Sequence, residues 1–237
     1  MHGLFITGTD TDVGKTALSA LLLAEIRRRN INAAPIKPAQ TGCRDGAVPD
    51  LDFSLSMAGM NIPSSTYQKM SVYQFEPACS PHLAAEMAGT EIDIAEMVIA
   101  ARALADDFEL ILAEGAGGLI VPLNQRETML DLMQALKFPV LLAARPGLGT
   151  INHTLLSIRT LRSEGLNIAG VVFVNTGNQA YTFIEEDNAA TIEHFGKVPV
   201  LGTIPYCEQL TSQNPKFDDL PIPVVAETEK IVNQLCL

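Results

Sequence analysis

Gly8-Thr9-Asp10-Thr11-Asp12-Val13-Gly14-Lys15-Thr16 is the stretch that decides the fold. It reads as a glycine-rich phosphate cradle closed by Gly14-Lys15-Thr16. Upstream, Leu4-Phe5-Ile6 is short, apolar and suited to a buried strand. Downstream, residues 17–29 have helical composition without Gly or Pro. Strand, glycine loop and helix together are the context this motif needs. Backbone N–H groups and the helix N-terminus then face an anion, Lys15 adds charge, and Thr16 offers a hydroxyl to Mg²⁺. One feature departs from the usual pattern: five residues, not four, separate Gly8 from Gly14.

Working outward, apolar runs of strand length recur at residues 4–7, 33–36, 110–113, 140–143, 169–174 and 200–204. Their near-continuous hydrophobicity suits strands covered on both faces. Helical stretches at 16–29, 52–58, 81–88, 94–106, 128–136, 151–163, 184–194 and 224–234 separate or flank them. This alternation predicts an α/β fold of the P-loop NTPase type: a mostly parallel central sheet with helices on both faces. No repeat, low-complexity tract or linker divides the 237 residues, so a single domain spanning 1–237 is expected. Residues 42–77 are the least regular and read as a flexible flap with short helices.

The net charge of −11 opposes nucleic-acid binding, which needs a basic face. No apolar stretch approaches the ~18 residues of a membrane helix. The chain enters its first strand at once, so no signal peptide is expected. Cys43, Cys79, Cys207 and Cys236 are far apart and lack metal-ligand spacing. They read as reduced thiols, and the expected location is the cytoplasm.

In doubly wound sheets, ligands sit at the carboxyl ends of the strands. The second strand runs into Lys37-Pro38-Ala39-Gln40-Thr41-Gly42, which would bring Lys37 into the same cleft as Lys15. There, two ammonium groups can share the charge of a transferring phosphoryl group. The strand at 110–113 ends in Glu114-Gly115-Ala116-Gly117-Gly118, giving a carboxylate in the Walker-B position and glycines that let backbone approach a ligand. Asp50 and Asp52 both qualify as a helix cap or as a carboxylate ligand of Mg²⁺, and the residues alone leave the choice open. Asn175 suits a purine edge or a turn. Residues 147–152 precede a helix and present another anion site. Ser80-Pro81-His82 reads as a helix start, with His82 structural or adjacent to substrate.

Taken together, these stretches resemble the dethiobiotin synthetase family. The resemblance rests on the lengthened loop from Gly8 to Thr16, Lys37-Pro38 with Thr41-Gly42, Ser80-Pro81-His82, Glu114 to Gly118, Gly149 to His153, Asn175, and Gly202-Thr203-Ile204-Pro205. These blocks run in order from residue 3 to about 206. The resemblance implies an ATP- and Mg²⁺-dependent ring closure in biotin synthesis. Its substrate, 7,8-diaminononanoate, takes up CO₂ as a carbamate, which attacks the γ-phosphate of ATP. The second amine then displaces phosphate from the mixed anhydride and closes the cyclic urea.

Lys37, Lys15 and Thr11 are implied as catalytic residues. Asp12, Val13, Gly14, Lys15, Thr16, Glu114, Gly117, Asn175 and Pro205 are implied to hold the nucleotide. Thr16, Asp52 and Glu114 are implied to hold the metal. Thr41 and, from the partner of a homodimer, Gly149, Thr150, Ile151 and Asn152 are implied to hold the substrate at the interface. A tyrosine that helps hold the substrate tail in some members aligns nearest to Asn188.

Two other readings use the same loop. Partitioning and cell-division ATPases, which act as partner-binding nucleotide switches, typically carry an extra lysine early in the loop. Thr9-Asp10-Thr11 lacks it. Amide-forming ligases of the cobyrinate type need a glutaminase domain for which this chain has no length left.

Overall fold

The computed structural model describes residues 1–178, 182–212 and 215–235. Cys236 therefore lies outside the described residues. The chain runs β1 (Gly3–Gly8), α1 (Lys15–Arg28), β2 (Ala33–Ile36), β3 (Ala39–Thr41), α2 (Pro49–Met57), α3 (Ser64–Met70), β4 (Tyr73–Phe75), α4 (Pro81–Met87) and α5 (Ile94–Ala105). It continues through β5 (Leu110–Gly118), α6 (Met129–Leu136), β6 (Val140–Ala144), α7 (Thr150–Ser163), β7 (Ile168–Val174), α8 (Phe183–Gly196), β8 (Val200–Ile204) and α9 (Ile222–Leu235).

Six strands form one sheet in the order β2-β5-β1-β6-β7-β8. Every neighbouring pair in it is parallel. The alternation along β1 shows why these runs are continuously apolar. Phe5 faces a core shared with Ile36, Ile111, Leu142 and helix α5, while Leu4 and Ile6 face a second core against α1 and α9. Both faces are buried, as a parallel sheet requires. All six expected strands are present, and β5 extends through Gly118.

Residues 42–77 depart from the flap reading. They include α2, α3 and β4, and β4 pairs in parallel with β3 as a separate two-stranded sheet. Leu51, Leu55, Met70, Tyr73 and Phe75 from this segment are buried in the main core. Strands of three residues are too short to carry a readable period, so β3 and β4 leave no sequence signal. Their packing holds the segment against the end of β2, where the Lys37 N–H donates to the Met70 carbonyl at 2.7 Å. The topology thus gathers the ends of β1, β2 and β5 at one rim.

Candidate active site

The loop between β1 and α1 turns where its sequence requires it. Gly14 caps α1 with φ +92°, a left-handed conformation that favours glycine. A Cβ there would also run into the Val174 side chain. No acidic residue occupies the first turn of α1, so nothing of the helix's own charge competes with an anion at its free N–H groups. Val13 is fully buried beneath the loop.

Thr11, Asp12, Gly14, Lys15, Thr16, Lys37, Thr41, Asp50, Glu114 and Gly117 line one cleft of about 460 Å³. Gly117 has φ +65°, and a Cβ on it would stand 2.7 Å from Val121 Cγ2. Only glycine therefore fits here, packed against Val121 at the edge of the cleft.

Four charged groups meet inside the cleft. The Lys37 ammonium donates to Asp50 Oδ2 at 2.6 Å, Glu114 Oε1 at 2.7 Å and the Gly115 carbonyl at 3.0 Å. Thr16 Oγ1 donates to the same Glu114 oxygen at 2.9 Å. Burial opposes the charge on Lys37, but Glu114 and Asp50 outweigh it and hold the amine above its ordinary pKa. Burial likewise opposes ionisation of Asp50, yet the Lys37 charge and its hydrogen bond, with Thr16 and Gln40 close by, keep its pKa below the usual value. Lys15 goes the other way: burial, then the nearby Lys37 charge, lower its pKa. Its ammonium donates to the Asp10 carbonyl at 2.8 Å, folded back on its own loop.

The metal set needs one correction. The Asp52 carboxylate does not face the cleft: it accepts from the Val48 N–H at 3.1 Å and from the Tyr67 hydroxyl at 2.7 Å. It closes the first turn of α2, where Val48 has no side chain able to cap. Asp50, two residues earlier, is the carboxylate that lines the cleft and pairs with Lys37 at 2.6 Å. Accordingly, Asp52→Ala is expected to cost about 1 kcal/mol of stability while leaving Mg²⁺-ADP affinity within about threefold. Asp50→Asn is expected to weaken Mg²⁺-ADP binding by about tenfold or more. Denaturant melts and calorimetric titration of the two variants check this pair.

The oxygen set suits Mg²⁺. Two carboxylates and a hydroxyl converge, and hard cations of this size take one or two carboxylates together with substrate phosphates. Among the described residues no group of three or more His, Cys, Asp or Glu is placed to hold a metal alone.

Other expected residues lie at the margins. The Asn175 side-chain oxygen accepts from the Gly177 N–H at 3.2 Å, the turn-forming role. Its backbone N–H donates to the Ile204 carbonyl at 2.9 Å, next to Pro205; Thr176 and Leu210 line the cleft, whereas Asn175 and Pro205 do not. Gly149, Thr150, Ile151 and Asn152 do not line this cleft. Gly149 has φ +94° and caps α7, whose His153, Leu156 and Thr160 border a second cleft of about 410 Å³ shared with Thr9, Asp10 and Thr11. Asn188 is buried and donates to the Pro146 carbonyl at 2.9 Å, fixing the loop that leads into Gly149. His82 carries a buried Nδ1 with no partner among the described residues.

Gln40 was not singled out by sequence. It lines the cleft, its amide donates to the Thr41 carbonyl at 3.0 Å, and its oxygen is buried without a partner among the described residues. Its position in the three-residue β3 gave no signal.

A family model described as an AAA domain matches residues 2–214. An ATP-dependent dethiobiotin synthetase from Anaeromyxobacter sp. (strain K) is 44% identical over 177 residues, 75% of this chain and 78% of that protein. Another, from Pseudomonas aeruginosa (strain UCBPP-PA14), is 40% identical over 214 residues, 89% and 92% of the two chains. The chain belongs to the dethiobiotin synthetase family. Among solved structures, the Pyrococcus furiosus cell-division ATPase MinD superposes with a TM-score of 0.60 at 17% identity, covering 99% of this chain and 98% of its own. A ParA-family ATPase from Chlorobium tepidum gives 0.60 at 12% identity, covering 100% and 98%. These likenesses establish the P-loop fold. The dethiobiotin synthetase family is an ATP-using one; in this chain the loop reads Thr9-Asp10-Thr11 where the extra lysine would stand, and Lys37 lies between two carboxylates.

Proposed function

We infer that this protein closes the ureido ring of dethiobiotin from 7,8-diaminononanoate and CO₂ with ATP. The observation that carries the reading is the convergence of Lys37, Asp50, Glu114 and Thr16 at the mouth of a phosphate loop, in a chain whose family acts on this chemistry. In this reading one domain does the work, in the cytoplasm.

Phosphoryl transfer asks mainly for positioning and for charge neutralisation. Lys15 is five residues from the Asp10 carbonyl that now holds it, and on exchanging that partner it neutralises the β/γ-phosphates. Lys37 faces the same cleft and brings the carbamate and the γ-phosphate together, two anions that repel each other. The Thr11 and Thr41 hydroxyls orient the carbamate on the far wall. Thr16, Asp50 and Glu114 would hold Mg²⁺, which would offset the negative charge of the phosphate oxygens. Asn175 and the backbone near Pro205 receive the purine.

The substrate tail is assigned to a homodimer interface. Support comes from Leu148, wholly exposed beside Gly149, and from the exposed Ile120 and Leu156 around the second cleft. Exposed apolar side chains such as these suit an interaction surface. The N–H groups at Gly149 to Asn152 take the tail carboxylate of the partner's substrate. Leu148→Asp is expected to shift the sedimentation profile toward monomer and to raise the KM for the diamine by about tenfold or more.

Phosphate release by the purified protein tests the reading. It should require diaminononanoate and bicarbonate together, with Mg²⁺ and ATP. Release at the same rate without the diamine would favour a nucleotide switch over a ligase.

A further inference from the structure

We propose that, before nucleotide binds, the Lys37 ammonium stands as counter-ion between the two carboxylates that would hold the divalent cation, so that metal enters with nucleotide and its entry turns Lys37 toward the substrate. The inference rests on the metal-nucleotide reading of this cleft and adds an order of events to it.

The geometry carries it. A lysine ammonium has three N–H donors. Here all three are used: Asp50 Oδ2 at 2.6 Å, Glu114 Oε1 at 2.7 Å and the Gly115 carbonyl at 3.0 Å. Two of these acceptors are the carboxylates that a metal would use. The Glu114 oxygen also accepts from Thr16 Oγ1, the third oxygen of that set, at 2.9 Å. Two members of the donor set therefore meet at one point, the third is hydrogen-bonded to one of them, and the group at that point is a cation of this chain. A metal ion bound by those two carboxylates would stand close to the ammonium, positive charge against positive charge.

The arrangement has a physical reason. Glu114 and Lys37 are both about 95% buried, at 5% and 4% exposure. Two carboxylates facing each other there without a counter-ion would be strongly disfavoured. Lys37 supplies that counter-ion. Bare metal gains two carboxylates but must evict a fully hydrogen-bonded ammonium, and it lacks the phosphate oxygens that complete its shell. Metal with nucleotide brings those oxygens, and the phosphates also offer the displaced ammonium a new anionic partner in the same cleft. Lys37 then stands free to reach the wall formed by Thr11 and Thr41. The device couples nucleotide arrival to the readiness of the substrate side.

Mn²⁺ binding, followed by electron paramagnetic resonance of the free ion in the absence of substrate, tests this without measuring turnover. The wild-type chain should bind Mn²⁺ alone at least about tenfold more weakly than it binds Mn²⁺ with ADP. Lys37→Met should bind Mn²⁺ alone about tenfold or more tightly than wild type, because its carboxylates lose their resident cation. Lys37→Gln keeps N–H donors for the same carboxylates and serves where Lys37→Met does not fold. It should show the same direction of change.

Equal or weaker Mn²⁺ binding by the folded variant would overturn the proposal. So would wild-type protein binding bare Mn²⁺ as tightly as Mn²⁺ with ADP. Failure of wild-type protein to bind Mn²⁺ even with ADP would instead overturn the metal-nucleotide reading on which the proposal rests.

Discussion

Lys37→Ala should reduce turnover by about 10³-fold or more, because the residue acts on charge that develops during transfer. Its ammonium is buried and held above its ordinary pKa by Glu114 and Asp50 against the effect of burial, so it is charged throughout the neutral range. It faces the cleft from the end of β2, opposite the loop that carries Lys15. The loss should appear in kcat, with Mg²⁺-ADP affinity preserved or improved. Stability should fall when the metal-free protein is melted, since breaking a buried pair costs about 3–5 kcal/mol. Mg²⁺-ADP should restore much of that loss. Steady-state kinetics with melts in both states checks the three outcomes together. Normal turnover would remove Lys37 from the chemistry.

Lys15→Ala should act differently. Lys15 rises from the first turn of α1 and is buried at the base of the loop, with its ammonium on the Asp10 carbonyl. It binds phosphate in the ground state and neutralises it during transfer, so both KM for ATP and kcat should suffer. We expect about tenfold or more in nucleotide affinity and about 10²-fold or more in kcat. The structural cost should be small. Removing the side chain frees one carbonyl at the exposed loop and relieves the repulsion from Lys37 that helps lower the Lys15 pKa. Calorimetric titration with ADP and initial rates at saturating diamine separate the two effects. An unchanged ADP affinity would mean that the loop holds phosphate through its N–H groups alone.

Much of this arrangement is legible in the chain because its signals are local. Gly14 needs its left-handed conformation and its lack of a side chain within one turn of Lys15. The six core strands announce themselves by apolar runs that both sheet faces demand. Lys37 and Glu114 are legible because each directly follows such a run, and a parallel sheet delivers strand ends to one rim.

What stayed hidden is non-local. Asp50 and Asp52 are two residues apart at the start of one helix, where neighbouring positions face different ways. Tyr67 and the Val48 N–H claim Asp52, and Lys37 claims Asp50; neither relation is visible in the local pattern. The pairing of β3 with β4, Ala39 opposite Tyr73, joins two three-residue strands across a long segment. It turns an expected flap into a packed wall and places Gln40 in the cleft. Asn188 shows the same limit: its hydrogen bond to the Pro146 carbonyl, across 42 residues, gives it a role in the α7 entry loop that no nearby residue suggests.

The central claim is that a nucleotide-phosphate site here joins one carbon to two amines. The measurement that meets it most directly supplies carbon-13 bicarbonate with diaminononanoate, Mg²⁺ and ATP, and analyses the product by mass spectrometry. The account predicts dethiobiotin carrying the label in its ureido carbon, with one phosphate released for each ring closed. Phosphate released without labelled dethiobiotin, or at a rate indifferent to the diamine, would contradict it.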